Sequence, residues 1–341
     1  MKNFLLLSIL SVSVFLFACK NSKQNEKFEV VKIASGGHVV HFLPLDIAVK
    51  QKLFQKYGLE PEITYLRGGT ATAQALISEQ VDFSTNSIDH AYKAKIKGKS
   101  NLRMIAMMNI LPGMSLVTKN TENDNPKSVQ DLKGYNLGVT SKGSATHMVL
   151  AYLMSEAGLT ETDYNVVKAG ASTFEAALDK GEIEGGMAIE PFIEIMKSKG
   201  KVNELIPLFK TTEVDKIFGG QYTMAGILTR TDVIEEKSAL VHKMTQVISE
   251  SLSLIHEKSN QEIADLVGKE ISGDDIDLYI KTLDRLEDFY SKDGVIDSTG
   301  ILNVYKSMKA ASLIDSNGIE NPLVFINNDF IKTKNKTSVE K

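Results

Sequence analysis

Two hydrophobic rhythms trade places along this chain. Short runs of apolar and β-branched residues, such as Val30-Val31-Lys32-Ile33-Ala34, alternate with stretches whose apolar positions fall at helical spacing. In order, strands are predicted at 30–34, 62–66, 81–84, 102–108, 115–118, 135–139, 165–168, 186–189 and 224–229. Helices are predicted from Pro44 to the stop at Gly58, then at 71–77, 88–96, 145–158, 173–180 and 192–199. Residues 205–208 read as a short extended piece. Beyond 230 the pattern turns helical, over 238–259, 274–286 and 301–311. The longest of these carries Val241, Met244, Val247, Ile248, Leu252 and Ile255 on one side. A short extended Phe325-Ile326 and a lysine-rich tail follow.

Strand–helix alternation of this kind implies a mostly parallel sheet covered by helices. A polar loop at 120–127 interrupts it, and a second series then begins. The chain is therefore expected to form two α/β lobes, with 29–117 opening the first and 118–224 forming the second. Residues 225–341 return to the first lobe and complete it with helices.

The N-terminus belongs to neither lobe. Lys2 precedes an apolar run from Phe4 to Phe17, and Leu16-Phe17-Ala18-Cys19 ends it. Residues 1–19 are expected to be an export signal, too short for a typical membrane span. Its end resembles the lipobox of bacterial lipoproteins, which implies lipidation at Cys19 and a membrane-held protein. Residues 20–28 are expected to form a flexible tether. Cys19 is the only cysteine in the sequence, so no internal disulfide, thiolate nucleophile or cysteine-based metal site is available.

A length of 341 residues suits two domains, and a net charge of −4 with mixed signs carries no nucleic-acid footprint. The basic run Lys93, Lys95, Lys97 and Lys99 reads as a solvated helix face. No dinucleotide, P-loop, nucleophile-elbow or zinc-protease motif is present. The six histidines are scattered; only His38 and His41 stand close together beside a candidate loop. Catalytic, metal and cofactor sites are not expected.

Three βα turns share a different character: Ser35-Gly36-Gly37-His38, Gly68-Gly69-Thr70, and Ser141-Lys142-Gly143-Ser144-Ala145-Thr146. Each offers backbone N–H groups and hydroxyls without a strong base. In parallel α/β sheets ligands bind beyond the carboxyl ends of the strands, where these turns lie. Thr70 is expected to cap the following helix, whose free N–H groups would then favour an acceptor-rich solute. Glu190, before Pro191, ends another strand. It reads either as a cleft carboxylate for an amine or heteroaromatic N–H, or as a helix-capping acid. Arg67 reads equally as an anion anchor or an exposed loop residue.

Several spaced segments also resemble a family. Pro44-Leu45 with Ala48, Lys52-Leu53-Phe54 to Gly58-Leu59, Gly68-Gly69-Thr70 and Ala75-Leu76-Ile77-Ser78-Glu79-Gln80-Val81-Asp82-Phe83 are its first-lobe features. Ser128-Val129-Gln130-Asp131-Leu132-Lys133-Gly134 and Gly181-Glu182-Ile183-Glu184 to Glu190-Pro191 are second-lobe ones. Together they resemble the periplasmic solute-binding proteins of the nitrate/sulfonate/taurine and thiamine-pyrimidine (SsuA-like) group, in lipoprotein form. The resemblance implies a type II periplasmic-binding-protein fold, two lobes joined by two crossing strands that act as a hinge. It also implies a monomer that captures a sulfonate, taurine-like zwitterion or thiamine-pyrimidine precursor and delivers it to ABC permease and ATPase subunits. The implied ligand-facing residues are Gly36, Gly37, His38, Gly68, Gly69, Thr70, Ser87, Ser141, Ser144, Thr146 and Glu190. One departure stands out: the position before Glu-Pro, commonly aromatic in the group, is Ile189. Tyr65, Tyr92, Phe42 and Tyr222 are the candidate substitutes for stacking. A biosynthetic enzyme on the same fold, using His38, His41 and His147, and a solute-sensing receptor subunit are the alternatives.

Overall fold

The computed structural model describes residues 28–66, 68–99, 101–121, 125–170, 173–314 and 319–331. The segment expected to be an export signal, Cys19, residues 20–27 of the expected tether and Arg67 lie outside these residues. The first lobe begins with β1 (Glu29–Ser35), α1 (Leu43–Lys50), α2 (Leu53–Lys56), β2 (Leu59–Tyr65) and α3 (Gly69–Ile77). It continues through β3 (Phe83–Asn86), α4 (Asp89–Ile96) and β4 (Leu102–Met107). The second lobe holds β5 (Met114–Lys119), β6 (Asn136–Val139), α5 (Ala145–Glu156), β7 (Asn165–Lys168) and α6 (Phe174–Asp179). β8 (Gly185–Ile189), α7 (Phe192–Ser198), β9 (Val202–Pro207) and α8 (Thr211–Phe218) complete it. The chain then returns through β10 (Gly226–Arg230) to α9 (Thr231–Glu236), α10 (Ser238–Glu257), α11 (Asn260–Val267), α12 (Lys269–Ser272), α13 (Ile276–Arg285) and α14 (Ser298–Ala310).

Each lobe is built on a five-stranded sheet, in the orders β2-β1-β3-β10-β4 and β7-β6-β8-β5-β9. β1 runs parallel to β2 and β3, and β6 parallel to β7 and β8. The exception in each sheet is the strand that follows a crossing. β10 is antiparallel to β3 and β4, and β5 is antiparallel to β8 and β9. The sheets are thus mixed, with one inserted antiparallel strand in each. The expected lobe boundary after residue 117 runs through β5, all of which pairs within the second sheet.

Local chemistry explains most of the differences from the predicted elements. The single helix expected from Pro44 to Gly58 is broken where Lys52 takes a left-handed conformation (φ 54°), leaving α1 and α2. The helix expected at 274–286 is the last of three. α11 starts earlier with a capping box in which Ser259 and Glu262 satisfy each other's backbone N–H groups. Thr211–Phe218, for which no helix was predicted, is also helical, with Val214 and Phe218 buried on one side. α10 buries the apolar stripe read from the sequence and packs on α1. Of the candidate stacking aromatics, Tyr92 and Tyr222 are fully buried in the core.

Two contacts fix the sheets, one at the crossing strand β10 and one between the parallel strands β6 and β8. The buried Arg230 at the end of β10 donates to the carbonyls of Leu76 and Val81, both at 2.9 Å, and pins the returning strand beneath α3. In the second lobe β6 and β8 meet at a pair of glycines, Gly138 and Gly186. A Cβ on Gly186 would lie 2.2 Å from the Gly138 carbonyl oxygen, and its φ is +143°. C-terminal helices then bridge the lobes, α13 against α7 and α14 against α5. No described helix is long and apolar enough to cross a membrane.

This geometry separates two kinds of glycine. Gly158→Ala, at φ +78° with open space around it, is expected to cost about 1 kcal/mol. Gly186→Ala adds a backbone clash and is expected to cost more than about 3 kcal/mol, read from denaturant unfolding followed by circular dichroism. Equal costs would contradict the sheet register.

Candidate functional site

The carboxyl ends of β1, β2 and β3 in the first lobe face those of β6, β7 and β8 in the second. Between them lies a cleft of about 550 Å³. Its first-lobe wall is formed by Gly36 and Phe42 after β1, Gly68 to Thr70 after β2, and Asn86 at the end of β3 with Ser87, Asp89 and His90 beyond it. Thr140 to Thr146, with Lys168 and Ile189, form the opposite wall.

Gly68, with φ +82°, turns the chain into α3, whose N-terminus opens on the cleft. Thr70 lies inside the first turn, and Gly68 holds the cap position without a side-chain bond. The expected Thr70 cap is therefore replaced. Asn86 does that work from the neighbouring strand. With its amide oriented to suit its surroundings, its nitrogen donates to the Gly69 carbonyl (3.1 Å). Its oxygen accepts from the Ala73 N–H (3.2 Å) and the Thr72 hydroxyl (2.9 Å). Gly69 is required for this insertion, since a Cβ there would sit 2.7 Å from both Asn86 and His90. The first N–H groups of α3 are left facing the cleft, where a helix terminus carries partial positive charge. Beside them the Ser87 hydroxyl is buried with no partner among the described residues.

Asp89 is the only carboxylate among the described residues of the cleft wall. Its oxygens lie 2.6 Å from Lys93 Nζ and 3.3 Å from His90 Nδ1. Burial alone would raise its pKa, but His90 and Lys93 outweigh it and hold the carboxyl well below the usual range. Lys93 also donates to the Gly143 carbonyl of the other lobe at 2.8 Å, a bond that spans the cleft. His41, buried in the wall, is pushed down to about 4 by desolvation, so its imidazole is neutral at physiological pH.

The second-lobe hydroxyls are largely committed to their own loop. Ser144 caps α5 by accepting from the His147 N–H at 3.3 Å. Thr146 Oγ1 accepts from the Thr140 N–H at 3.0 Å and lies 2.8 Å from Ser144 Oγ. His147 Nδ1 accepts from the Gly143 N–H at 3.0 Å. What this wall presents as charge is Lys142 and Lys168, neither of which makes an ion pair among the described residues. Of the residues named from the sequence, the cleft brings together Gly36, Gly68, Gly69, Thr70, Ser87, Ser141, Ser144 and Thr146.

Gly37, His38 and Glu190 lie outside it. Gly37 supplies a positive φ of 109° to the turn. His38 and Glu190 border a second cavity of about 430 Å³, which shares Val39 and Ile189 with the cleft. His38 Nδ1 is 2.7 Å from Asp46 Oδ1, and its ring packs on Tyr65. Glu190 Oε1 lies 2.7 Å from Arg285 Nε of α13, and Oε2 accepts from the Glu194 N–H in α7. Arg285 also binds Glu194 and Glu204, and Lys197 joins both. Glu190 is thus a capping and cluster acid. Burial, only partly offset by Arg285, pushes it up to about 7. Asn86, Asp89, Lys93, Lys142 and Lys168 were not singled out for the site from the sequence. The one available signal for several of them was the polar run Asn86-Ser87-Ile88-Asp89-His90 directly after a strand.

The raised pKa has a direct consequence for stability. Glu190 titrates at 4.5 when unperturbed and near 7 in the fold, so between these values the folded state holds the extra proton. Its contribution is full below pH 4.5 and is lost as pH rises through 7. Thermal unfolding of the ligand-free protein should show Tm falling over that window, and Glu190→Gln should flatten the fall. Asp46, raised to about 6 mainly by burial, leaves a residual slope. An unchanged slope in Glu190→Gln would contradict the buried environment described.

With the site in place, the chain can be set beside known proteins. It is 21% identical over 310 residues to YtlA of Bacillus subtilis strain 168, which is named as a binding protein; the alignment covers 90% of this chain and 89% of that one. A solved structure from Bordetella bronchiseptica RB50 superimposes with a TM-score of 0.76 at 24% identity, covering 89% of this chain and 96% of the other. The alkanesulfonate-binding protein SsuA of Xanthomonas axonopodis pv. citri, bound to MOPS, gives 0.69 at 14% identity, covering 88% and 98%. The two-lobe architecture is therefore the periplasmic-binding-protein fold. A family model described as NMT1/THI5 like matches residues 40–262, well over half of the sequence, and the chain belongs to the NMT1/THI5-like family.

Proposed function

We propose that this protein is the extracytoplasmic solute-binding component of an ABC importer, and that its solute presents an anionic group to the cleft. One observation carries the second clause. The α3 N-terminus and the Ser87 hydroxyl line one wall and Lys142 and Lys168 the other, while Asp89 is already paired with Lys93. A helix N-terminus favours an anion by about 0.3–1 kcal/mol, and charge-assisted bonds from lysine add to it. The wall has no uncompensated carboxylate among its described residues to oppose such a group.

Two likenesses support the reading. SsuA is described as an alkanesulfonate-binding protein and was solved with MOPS, itself a sulfonate. YtlA is named as a binding protein, which favours capture over catalysis. A small organic sulfonate is accordingly the first class of solute to test. The Cys19 segment would hold the protein by a lipid at the outer face of a membrane, and the bond from Lys93 to Gly143 would join the two lobes over the solute. This makes the fold a clamp that closes around its solute.

A thermal-shift panel of alkanesulfonates, taurine and nitrate tests the proposal. A bound solute at a hundred times its dissociation constant should stabilise the fold by about 2.7 kcal/mol. In calorimetry Ser87→Ala and Lys142→Ala should each weaken the responding anion about tenfold. A panel without any response, or a response unaffected by both substitutions, would sink the assignment.

A further inference from the structure

We infer that the second cavity, beside the cleft, receives an organic ammonium group. Its walls are mainly apolar, with Val40, Leu43, Ile189, Phe192 and Leu278 among them. Three acceptor atoms on its lining residues are buried without a hydrogen-bond partner among the described residues: Asp46 Oδ2, Tyr279 OH and Thr282 Oγ1. Asp46 is 3% exposed and Thr282 fully buried. An unpaired buried polar atom is costly, and folded proteins keep few of them without a reason.

Hydroxyls can donate or accept, so the carboxylate sets the sign of the occupant. Asp46 Oδ1 faces His38, while Oδ2 has nothing opposite it. His38 serves Oδ1 alone, and the nearby arginine and lysine are engaged elsewhere, Arg285 with Glu190 and Lys50 with Glu270. Asp274 and Asp275 also line the cavity. The occupant therefore donates hydrogen bonds and carries positive charge. No group of three or more metal-binding side chains exists among the described residues, and apolar walls suit a carbon body better than a stripped inorganic ion. The Phe192 and Tyr279 rings can face an ammonium.

Because Val39 and Ile189 border both cavities, donors on one side stand next to acceptors on the other. The ammonium has two possible sources: the far end of the cleft's anionic solute, in which case the inference rests on the reading above, or a separate amine.

Calorimetry on the full chain with hexanesulfonate, its ω-amino derivative and hexylammonium distinguishes them. If the solute supplies the group, the ω-amino derivative binds at least about tenfold tighter than hexanesulfonate. Asp46→Asn then erases that gap and leaves hexanesulfonate affinity unchanged. Hexylammonium bound by the wild type and lost in Asp46→Asn identifies a separate amine. That result with neither sulfonate bound would fail the anion reading while keeping the cavity's. Equal affinity for both sulfonates, without hexylammonium binding, overturns the inference and spares the cleft. No binding of any probe overturns both. Should Asp46→Asn not fold by circular dichroism, Tyr279→Phe and Thr282→Val must each reduce the ammonium preference. An unchanged preference in both would overturn the inference.

Discussion

Each of the two sheets is completed by a strand that arrives from the other lobe. β5 enters the second sheet directly after the first lobe's β4, and β10 re-enters the first sheet after the second lobe's last helix. Both run antiparallel to their neighbours, because a chain that crosses once and pairs centrally must run against the parallel βα series. The carboxyl ends of the remaining strands are thereby turned toward one shared space. Parallel strands deliver helix N-termini and turn residues to that end, and so the cleft is made of N–H groups, hydroxyls and lysines.

The charge pattern follows from how the acids are held. Asp89 is locked by Lys93 and His90, and Lys93 carries the same bond network across to Gly143. Glu190, Glu194 and Glu204 are gathered around Arg285 at the flank, where α13 meets the second lobe. With Asp89, the one carboxylate among the described wall residues, so engaged, Lys142 and Lys168 face no free acid across the cleft wall. The cavity next to it has the opposite character, with Asp46 buried and half satisfied. A solute, or a pair of solutes, of opposite charges at its two ends is what such a divided surface fits.

Strand and helix order was legible because apolar runs and helical spacing alternate cleanly, and the Gly68-Gly69-Thr70 turn was readable as the entry to a helix. The sheets' antiparallel insertions were not, since hydrophobicity gives a strand's existence and not its direction. Glu190 kept two readings, cleft carboxylate or helix-capping acid, for a related reason. Its position at a strand end predicted the right region, but Arg285 lies 95 residues further along the chain and no local pattern announces it. Lys93 was read as solvated surface because spacing alone cannot show that Asp89 and the other lobe's Gly143 stand beside it. Asn86 replaces Thr70 at the α3 terminus by an interaction between a strand end and a neighbouring helix, again beyond sequence range.

The central claim is that the α3 terminus and the opposing lysines hold the anionic end of a captured solute. A crystal structure with a bound alkanesulfonate tests it most directly. The account predicts sulfonate oxygens within hydrogen-bond distance of the Gly69, Thr70 or Ala71 N–H groups and the Ser87 hydroxyl, with Lys142 or Lys168 approaching from the other lobe. A sulfonate seated against Asp46 and Tyr279, or outside the interlobe cleft altogether, would contradict it.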